Sequence, residues 1–432
     1  MLLLCYRLLF IPVLLGMAPY YLMRMRRRGG YRKHFEHRLG GHRWLPPKMP
    51  GARRVWIQAV SVGEILAITP MLEALHRDGV EIYLTTTTST GYRLANDSYR
   101  GLTLGIGYFP IDWWLFSARA WKRINPDLAV LTEGERWPEH MHQARRRGVP
   151  VVAINARLTE RSLRRWGWFP PAARRVFRDV TRLLPCSRQD EARFLSLGFP
   201  AERMLMTGNI KLDVAIPALP GAEKEALRAE LGLPQSGLVL LGSSTWPGEE
   251  TALFEALRRV RGTGLRCSLL LVPRHAERRL EIEKLLRSAG LKYHFRSRGP
   301  AHGAVDVAVG DTTGELRRLL QLADLVFVGK SLPPRTEGQT PIEAAILGKA
   351  ILFGPGMDNF SQVAAELVEC GGARVVADAT GLASTCAELL RDEERRGAMA
   401  AAAKAWNLAN LGATARTIAV LREELAGCPL LK

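Results

Sequence analysis

The chain has 432 residues, of which 47% are hydrophobic and 24% charged. This composition excludes a largely disordered protein, and the length predicts two or three folded cores. The formal net charge of +19 indicates an anionic partner, such as nucleic acid, a membrane surface or a phosphorylated substrate. The six cysteines are scattered along the chain, which argues against a zinc site or a redox motif.

The first 23 residues form an apolar run that is interrupted only by Arg7. As a helix, such a run is long enough to cross the ~30 Å of hydrocarbon in a bilayer. Eleven Lys or Arg residues and a single acid follow between Arg24 and Arg54, which is the reverse of the charge order in a signal peptide. We therefore predict an uncleaved membrane anchor at residues 1–23 with the body on the cytoplasmic side. Arg7 and Pro12 leave open a helix that lies in the interface.

From about residue 51 onward, short apolar runs alternate with amphipathic stretches. This alternation predicts an α/β protein with parallel sheets and crossover helices. The predicted strands are 55–60, 82–86, 128–131, 151–154 and 182–185, then 239–242, 268–272, 325–328 and 350–353. We divide them between two Rossmann-like halves that face a cleft, residues 24–213 and 223–432, joined by a proline-containing linker at 214–222.

The sequence lacks the signatures of several nucleotide sites. Neither G-x-G-x-x-G nor a P-loop occurs, so the dinucleotide-binding and ATPase interpretations have no motif behind them. No D-x-D occurs either, which argues against a nucleotide-sugar site clamped by a metal ion.

The first polar motif follows the strand predicted at 55–60, where the chain reads Ser61-Val-Gly63-Glu64 before a helix predicted at 65–76. A carboxylate at a strand-to-helix turn can take a proton from an attacking hydroxyl. Ser61 and Glu64 also have the spacing of a capping box, in which both side chains serve the helix start. These residues alone leave both interpretations open.

Two further motifs follow the next strands of the first half. Glu133 and Glu135 come directly after the strand at 128–131, and Arg157 and Arg161 come after the strand at 151–154. Guanidinium groups bind phosphate and carboxylate well, so the arginines are candidates for an anionic ligand.

The second half offers small residues and charges at the ends of its strands. The sharpest element is the predicted helix at 342–347, with Thr340 as its N-cap and Pro341 at its first position. A helix start binds phosphate through free amides, and a nearby carboxylate can hold ribose hydroxyls. Two facing halves suit a group transfer, with the donor substrate on one half and the acceptor on the other. The candidate donor-binding residues of this half are Pro273, Arg274, Gly314, Glu315, Lys330, Ser331, Thr340, Pro341, Ile342 and Glu343.

Taken together and in order, these motifs resemble those of the bacterial Kdo transferases, which add 3-deoxy-D-manno-octulosonic acid (Kdo) from its CMP-activated form to a lipid A precursor. The resemblance spans nearly the whole chain. It rests on nine motifs after the anchor, at residues 30–40, 59–64, 85–91, 133–138, 155–162, 208–213, 273–275, 311–316 and 352–355.

The resemblance implies a GT-B fold and an inverting transfer that needs neither a metal ion nor another cofactor. It implies that Glu64 activates the acceptor hydroxyl and that Glu135, with Glu133 beside it, lies near the acceptor or the departing charge. The CMP site falls on Pro273 and Arg274, on Gly314 and Glu315, and on the helix start from Thr340 to Glu343. Lys330 stands where a second glycine is common in the family and could add a contact to the donor's carboxylate or phosphate. The acceptor side falls on Ser61, Gly63, Glu133, Arg157, Arg161 and Lys211.

The resemblance also implies the partners: a CMP-activated sugar, a lipid A precursor and the bacterial inner membrane, rather than nucleic acid. Two alternatives stay open, a GT-B transferase that uses a UDP-sugar on a lipid acceptor and a non-catalytic, membrane-tethered binder of anionic ligands. The chain departs from the family pattern at Gln58, where histidine is usual, and in the loop at 336–341, which is one residue longer.

Overall fold

The computed structural model describes residues 2–28, 34–42, 45–134, 137–168 and 170–428. The chain divides into two compact units. Unit 1 comprises Met1–Val214 together with Gly412–Lys432, and unit 2 comprises Ala215–Leu411.

Unit 1 is built on a six-stranded sheet in the order β3-β2-β1-β4-β5-β6, and every strand pair is parallel. Its strands are β1 Arg54–Gln58, β2 Glu81–Thr86, β3 Gly105–Tyr108, β4 Leu128–Thr132, β5 Val151–Ala156 and β6 Arg182–Pro185. Its helices before the first domain boundary are α1 Leu2–Arg28, α2 Val62–Ala67, α3 Thr69–Arg77, α4 Ser89–Tyr99, α5 Trp114–Ile124, α6 Pro138–Arg146, α7 Glu160–Gly167, α8 Pro170–Phe177 and α9 Arg188–Ser196.

Unit 2 is built on a seven-stranded parallel sheet in the order β13-β12-β11-β7-β8-β10-β9. Its strands are β7 Leu238–Thr245, β8 Cys267–Pro273, β9 Tyr293–Phe295, β10 Val307–Val309, β11 Leu325–Val328, β12 Ala350–Phe353 and β13 Ala373–Val375. Its helices are α10 Gly221–Glu230, α11 Glu249–Gly262, α12 Arg279–Ser288, α13 Leu316–Leu319, α14 Ile342–Ile346, α15 Ser361–Glu369, α16 Ala379–Arg391 and α17 Glu393–Ala409. A last helix, α18 Ala413–Gly427, belongs to unit 1.

The predicted class is confirmed, since each unit is a parallel sheet with crossover helices, as in the Rossmann-like halves of a GT-B protein. The nine predicted strands all form, and β6, β11 and β12 have the predicted bounds. Parallel strands are buried on both faces, so they read as continuous apolar runs that are easy to recognise. The helix predicted at 65–76 is instead two helices, α2 and α3, because Pro70 lies in the first turn of α3 and cannot donate to a preceding turn.

The C-terminal boundary differs from the sequence-based division, which placed all of residues 223–432 in the second half. Residues after Leu411 return to unit 1. The Asp213 carboxylate accepts hydrogen bonds from the backbone N–H groups of Gly412, at 2.7 Å, and Thr414. It therefore satisfies free amides at the start of α18 and holds this helix beside the end of the first segment.

The basic segment after the apolar run is partly built into unit 1. Arg54 is fully buried and its Nε donates to Glu81 at 2.7 Å. The ammonium group of Lys48 lies 2.5 Å from the Asp127 carboxylate, and Arg38 donates to a backbone carbonyl at 2.7 Å. The charge of residues 24–54 predicts contact with the anionic leaflet and the phosphates of a lipid acceptor. This prediction is wrong for Arg54 and Lys48, because carboxylates inside the unit neutralise their charges.

Three buried histidines make the stability of unit 1 depend on pH. Burial lowers the pKa of His37 and His140 to about 4 and that of His42, with further repulsion from the other two, to about 3. In the unfolded chain these groups titrate near 6.5, so below that pH the unfolded state binds more protons. The stabilisation is therefore present above about pH 6.5 and is lost as the pH falls toward 4. Asp112 acts in the opposite direction, because burial raises its pKa to about 6.

We expect the free energy of unfolding of unit 1, measured with urea, to fall between pH 6.5 and 5. The expected fall is about 1 to 2 kcal/mol per histidine before the opposing carboxylate is counted. His42→Gln should make this profile shallower, because it removes one of the three groups. His302→Gln, at an exposed position, should leave the profile unchanged. A wild-type stability that stays constant down to pH 5 would contradict the expectation.

Candidate active site

The Glu64 side chain turns back from α2 toward the carboxyl end of β1. Its Oε2 accepts hydrogen bonds from the backbone N–H of Val60, at 2.9 Å, and from the Thr132 hydroxyl. Its Oε1 accepts from the Ser61 hydroxyl at 2.9 Å. The Ser61 oxygen in turn accepts from the backbone N–H of Glu64 at 3.4 Å, so the predicted cap is present.

This geometry combines the two interpretations that the sequence left open. Ser61 caps α2, but the Glu64 carboxylate bonds the amide of Val60 and a hydroxyl from β4 rather than the amide of Ser61. Glu64 is only 7% exposed. A carboxylate has about four acceptor positions, and the three donors occupy three of them. The Glu64 carboxylate is thus held by Val60, which follows β1, and by Thr132 of β4. One acceptor position, on Oε1, stays open and could take a proton.

A second charged group lies at the adjoining ends of β4 and β5. Glu133 follows Thr132 directly and adopts a left-handed backbone conformation with φ of 50°. Its Oε1 lies 2.5 Å from the ammonium group of Lys211. Burial would raise the pKa of Glu133, but Lys211 and Arg157, with hydrogen bonds from Lys211 and Asn155, outweigh burial and hold this pKa below its usual value. Glu133 is therefore an anion that pairs with Lys211 and feels the charge of Arg157.

Lys211 is positioned by backbone contacts as well as by this ion pair. It lies on the 3₁₀ helix Ile210–Asp213, whose first N–H donates to the Asn155 side chain at 3.1 Å. That 3₁₀ helix also packs against α2. Since Thr132 bonds Glu64 and precedes Glu133, the carboxylate of Glu64 and the cationic group share one edge of the sheet.

The structure thus brings the predicted catalytic residue Glu64 together with four of the residues predicted on the acceptor side: Ser61, Glu133, Arg157 and Lys211. Gly63 lies in the first turn of α2, where the nearest atom to an added Cβ would be the Ser61 hydroxyl oxygen at 4.0 Å. Arg161 lies exposed on α7, apart from the ion pairs of this group. Glu135 lies outside the described residues, so its predicted role stays a prediction.

In unit 2, one buried carboxylate organises the segment after β11. Glu249, in the first turn of α11, accepts hydrogen bonds from the backbone N–H groups of Lys330 and Ser331 at 2.8 and 2.9 Å. It also accepts from those of Leu332 at 3.2 Å and Trp246 at 2.9 Å. Burial raises the pKa of Glu249 in spite of these four amides, which lower it. The carboxylate therefore ties the turn after β7 to the turn after β11.

The predicted donor residues Lys330 and Ser331 have different surroundings. Lys330 has a left-handed backbone, with φ of 59°, and its ammonium group lies 3.0 Å from Glu337 and 4.5 Å from the Trp246 ring centre. Ser331 is fully buried, and its hydroxyl donates to a carbonyl at 2.6 Å and accepts from the Gly354 amide at 2.8 Å. The Ser331 side chain thus holds the segment together, whereas the Lys330 ammonium group is paired with Glu337, and its contact with a donor stays a prediction.

The sequence interpretation missed Trp246. The guanidinium of Arg335 lies 5.4 Å from its ring centre, and the ring of His275 packs edge-on at 5.2 Å. A signal was present, because the apolar strand β7 ends in hydroxyl residues and is followed by Trp246-Pro-Gly-Glu249, and the segment after β1 likewise has a serine and then Gly-Glu.

The remaining donor candidates lie at the ends of β8 and β10. Pro273 ends β8, and Arg274 after it is exposed, with no side-chain hydrogen bond or ion pair to any described residue. Gly314 is exposed with φ of 92°. Glu315 bonds the Arg296 guanidinium at 2.6 Å, and this contact holds the pKa of Glu315 below its usual value. Arg274 is therefore available to an anion, while the Glu315 carboxylate is already engaged.

The predicted helix start at 340–343 differs in detail from the structure. Pro341 occupies the cap position of α14 rather than the first helical one, and the Thr340 hydroxyl accepts from the N–H of Ile342 at 3.2 Å. The same hydroxyl lies 3.3 Å from the Glu343 carboxylate. Because α14 has only five residues, few aligned peptide dipoles add up at its start. Phosphate binding there would rest mainly on neighbouring side chains.

One group of described residues in unit 1 has ligand atoms close enough to hold a metal ion. His34, Glu36 and His37 offer atoms that all lie within 4.8 Å of one another. Both histidines also line a cavity of about 400 Å³. The predicted independence from metal ions therefore stays a prediction that needs a direct test.

Comparison with known proteins identifies the family. Residues 27–214 match the family model described as 3-deoxy-D-manno-octulosonic-acid transferase (kdotransferase). The 3-deoxy-D-manno-octulosonic acid transferase of Bordetella pertussis is 34% identical over 95% of this chain and 97% of its own length. The chain belongs to the Kdo transferase family. The protein is thus an enzyme, a glycosyltransferase, and the predicted family and enzyme class are confirmed.

A second curated relative agrees with this assignment, and a solved structure agrees with the fold. The protein of the same name from Haemophilus influenzae is 29% identical over 98% of this chain and 97% of its own length. The structure of Staphylococcus aureus MnaA with UDP is 14% identical, with a TM-score of 0.60, and the match covers 87% of this chain and 97% of that chain. This structural likeness supports the fold alone.

Proposed function

We propose that this Kdo transferase moves Kdo from CMP-Kdo to a lipid A precursor during lipopolysaccharide core synthesis. The reaction inverts the anomeric centre, uses no metal ion and takes place at the cytoplasmic face of the inner membrane. The observation that carries the proposal is the Glu64 carboxylate, held by three donors at the edge of the unit 1 sheet with one acceptor position left on Oε1.

Unit 1 supplies the base and the acceptor site. Glu64 takes the proton of the acceptor hydroxyl as the hydroxyl oxygen forms its bond to the anomeric carbon of the donor. The bond from that carbon to the CMP phosphate breaks, and CMP leaves with the bonding electrons. Lys211, which is paired with Glu133, and Arg157, whose charge lowers the pKa of Glu133, suit an acceptor that carries phosphate groups.

Unit 2 binds the donor through charge complementarity. CMP-Kdo carries a phosphate and a sugar carboxylate, both anionic. The exposed guanidinium of Arg274 and the ammonium group of Lys330 lie at the carboxyl ends of β8 and β11. This is the edge of a parallel sheet at which Rossmann-like units bind their ligands. Cations there also stabilise the charge that develops on departing CMP.

The proposal is tested with purified full-length protein, a tetraacyl disaccharide bisphosphate as acceptor and CMP-Kdo generated in the assay. We expect product to form equally well with and without EDTA, and CMP to inhibit while UDP at the same concentration does not. Loss of product in EDTA that zinc or magnesium restores would contradict the metal independence. Inhibition by UDP alone would point instead to a UDP-sugar donor.

A further inference from the structure

The exposure of α1 follows the helical repeat. Among the described side chains between Leu3 and Tyr20, the less exposed ones recur three or four residues apart, at residues 3, 6, 7, 10, 11, 14 and 18. This spacing defines one face of a helix. All other side chains of this stretch are exposed. The helix therefore lies along a surface for about four turns instead of projecting from it.

Two polar contacts on that face join α1 to the body of unit 1. The Tyr6 hydroxyl donates to Asp112 Oδ2 at 2.7 Å. The Arg7 guanidinium donates to both oxygens of Glu139, at 2.8 and 3.0 Å. The Asp112 carboxylate also accepts from the backbone N–H groups of Glu139 and His140, so both contacts are made at the start of α6.

The Arg7 contact compensates a charge that the body has already buried. Glu139 is 0% exposed, and its other side-chain partner is the Gln143 amide at 2.6 Å. A buried carboxylate without a cation is unfavourable, and two parallel N–H donors from one guanidinium are the strongest neutralising geometry. The single charge in the apolar run thus has a structural partner inside unit 1.

This docking is incompatible with a helix that crosses the bilayer. If residues 3–20 spanned the hydrocarbon with the body attached after Arg28, Tyr6 and Arg7 would lie near the far side. Arg7 is thirteen residues before Tyr20, which is roughly 20 Å along a helix. Yet Arg7 is within hydrogen-bond distance of the body.

The face of α1 turned away from the body is entirely apolar where it is described. We call this the outward face; it comprises Leu4, Leu8, Leu9, Val13, Leu15 and Met17, which are 44% to 67% exposed. Trp114 and Trp137, each two residues from one of the docking carboxylates, are also exposed. Tryptophan favours the interface between headgroups and acyl chains. The sequence places four arginines, at positions 24 and 26–28, near the C-terminal end of α1, and anionic headgroups attract such charges.

We propose that α1 is a monotopic helix, docked on unit 1 through Tyr6 and Arg7, that inserts its outward face into one leaflet of a phospholipid bilayer and lies in the membrane plane. The inference concerns attachment and does not rest on the transfer reaction. It replaces the spanning anchor favoured by the sequence, which the length and composition of α1 would equally allow.

The depth of two positions on the outward face tests this proposal. Leu8 and Leu15 are 67% and 66% exposed and lie seven residues apart, on the same side of the helix. The full chain, with Cys5→Ser and Cys370→Ser, carries either Leu8→Cys or Leu15→Cys with a nitroxide label. It is reconstituted in vesicles of phosphatidylethanolamine and phosphatidylglycerol. Depth is read from the relative accessibility of the label to oxygen and to a water-soluble nickel complex.

A helix in the membrane plane places both labels at nearly the same depth in one leaflet. A spanning helix places them about 10 Å apart in depth. Such a difference, or two labels that both stay in water, would overturn the proposal.

Arg7→Leu should increase the difference in depth, because it removes the contact with Glu139, while Arg7→Lys should keep the difference small. Equal depths in Arg7→Leu would show that Arg7 is not the residue that holds α1 down. Neither readout depends on transfer activity.

Discussion

Replacing Glu64 by glutamine is expected to lower kcat for sugar transfer by about 10²- to 10⁴-fold, the usual loss when a positioned general base is removed. The fold should survive, because a glutamine carbonyl can still accept from the amide of Val60. The same carbonyl can accept from the Thr132 hydroxyl, and the Ser61 hydroxyl can rotate to accept from the new NH₂ group. The change therefore removes the proton acceptor and little else.

The matched control is Glu73→Gln, at an exposed position on the neighbouring α3. It should transfer Kdo at the wild-type rate. For Glu64→Gln, the KM for CMP-Kdo and the thermal midpoint should stay near the wild-type values, so that the loss appears in kcat. A Glu64→Gln enzyme that retains a tenth or more of the wild-type kcat would remove Glu64 from the role of base. If Glu64→Gln is instead largely unfolded at the assay temperature, the loss of activity would be assigned to a structural role of Glu64 alone.

Most of the sheet architecture could be predicted from the sequence, because the central parallel strands are continuous apolar runs bounded by turns. The four strands that escaped prediction are β3, β9, β10 and β13. They have only three or four residues, and β3 contains two glycines, which weaken any strand pattern. The return of α18 to unit 1 could not be predicted, because it depends on a contact of Asp213 with amides about 200 residues later.

The candidate site and the docking of α1 show the same limit, because local spacing can be read from a sequence and distant contacts cannot. Ser61 and Glu64 could be predicted because their spacing is local, and Arg157 because it follows a strand that was recognised. Lys211 lies on a 3₁₀ helix and was predicted only through the family resemblance. The engagement of Arg7 by Glu139 could not, since it joins residues 132 positions apart. In a linear sequence an arginine in an apolar run reads as an interruption, and only the folded chain shows that it neutralises a buried carboxylate.

Glu249→Gln is expected to damage the donor-binding unit more than any exposed substitution. Each oxygen of the Glu249 carboxylate accepts from two backbone amides, Oε1 from those of Ser331 and Leu332 and Oε2 from those of Trp246 and Lys330. A glutamine places an NH₂ group against one of these pairs, donor facing donor. Hydrogen bonds to a charged acceptor contribute about 1.5 to 3 kcal/mol each, so losing two should destabilise unit 2 by about 3 to 6 kcal/mol.

The same change should raise the KM for CMP-Kdo at least tenfold, because Lys330 loses the amide contact that fixes its left-handed backbone beside Trp246. The neighbouring Gly329 packs closely against the same carboxylate, because a Cβ at this position would lie 2.7 Å from Glu249 Oε2. Glu255→Gln, on the exposed side of α11, is the control and should change the unfolding free energy of unit 2 by less than about 0.5 kcal/mol. Urea unfolding and CMP titration of the two variants measure both effects. If Glu249→Gln unfolds and binds CMP like Glu255→Gln, the turn after β11 is held by its own backbone, and the donor site does not depend on the buried carboxylate.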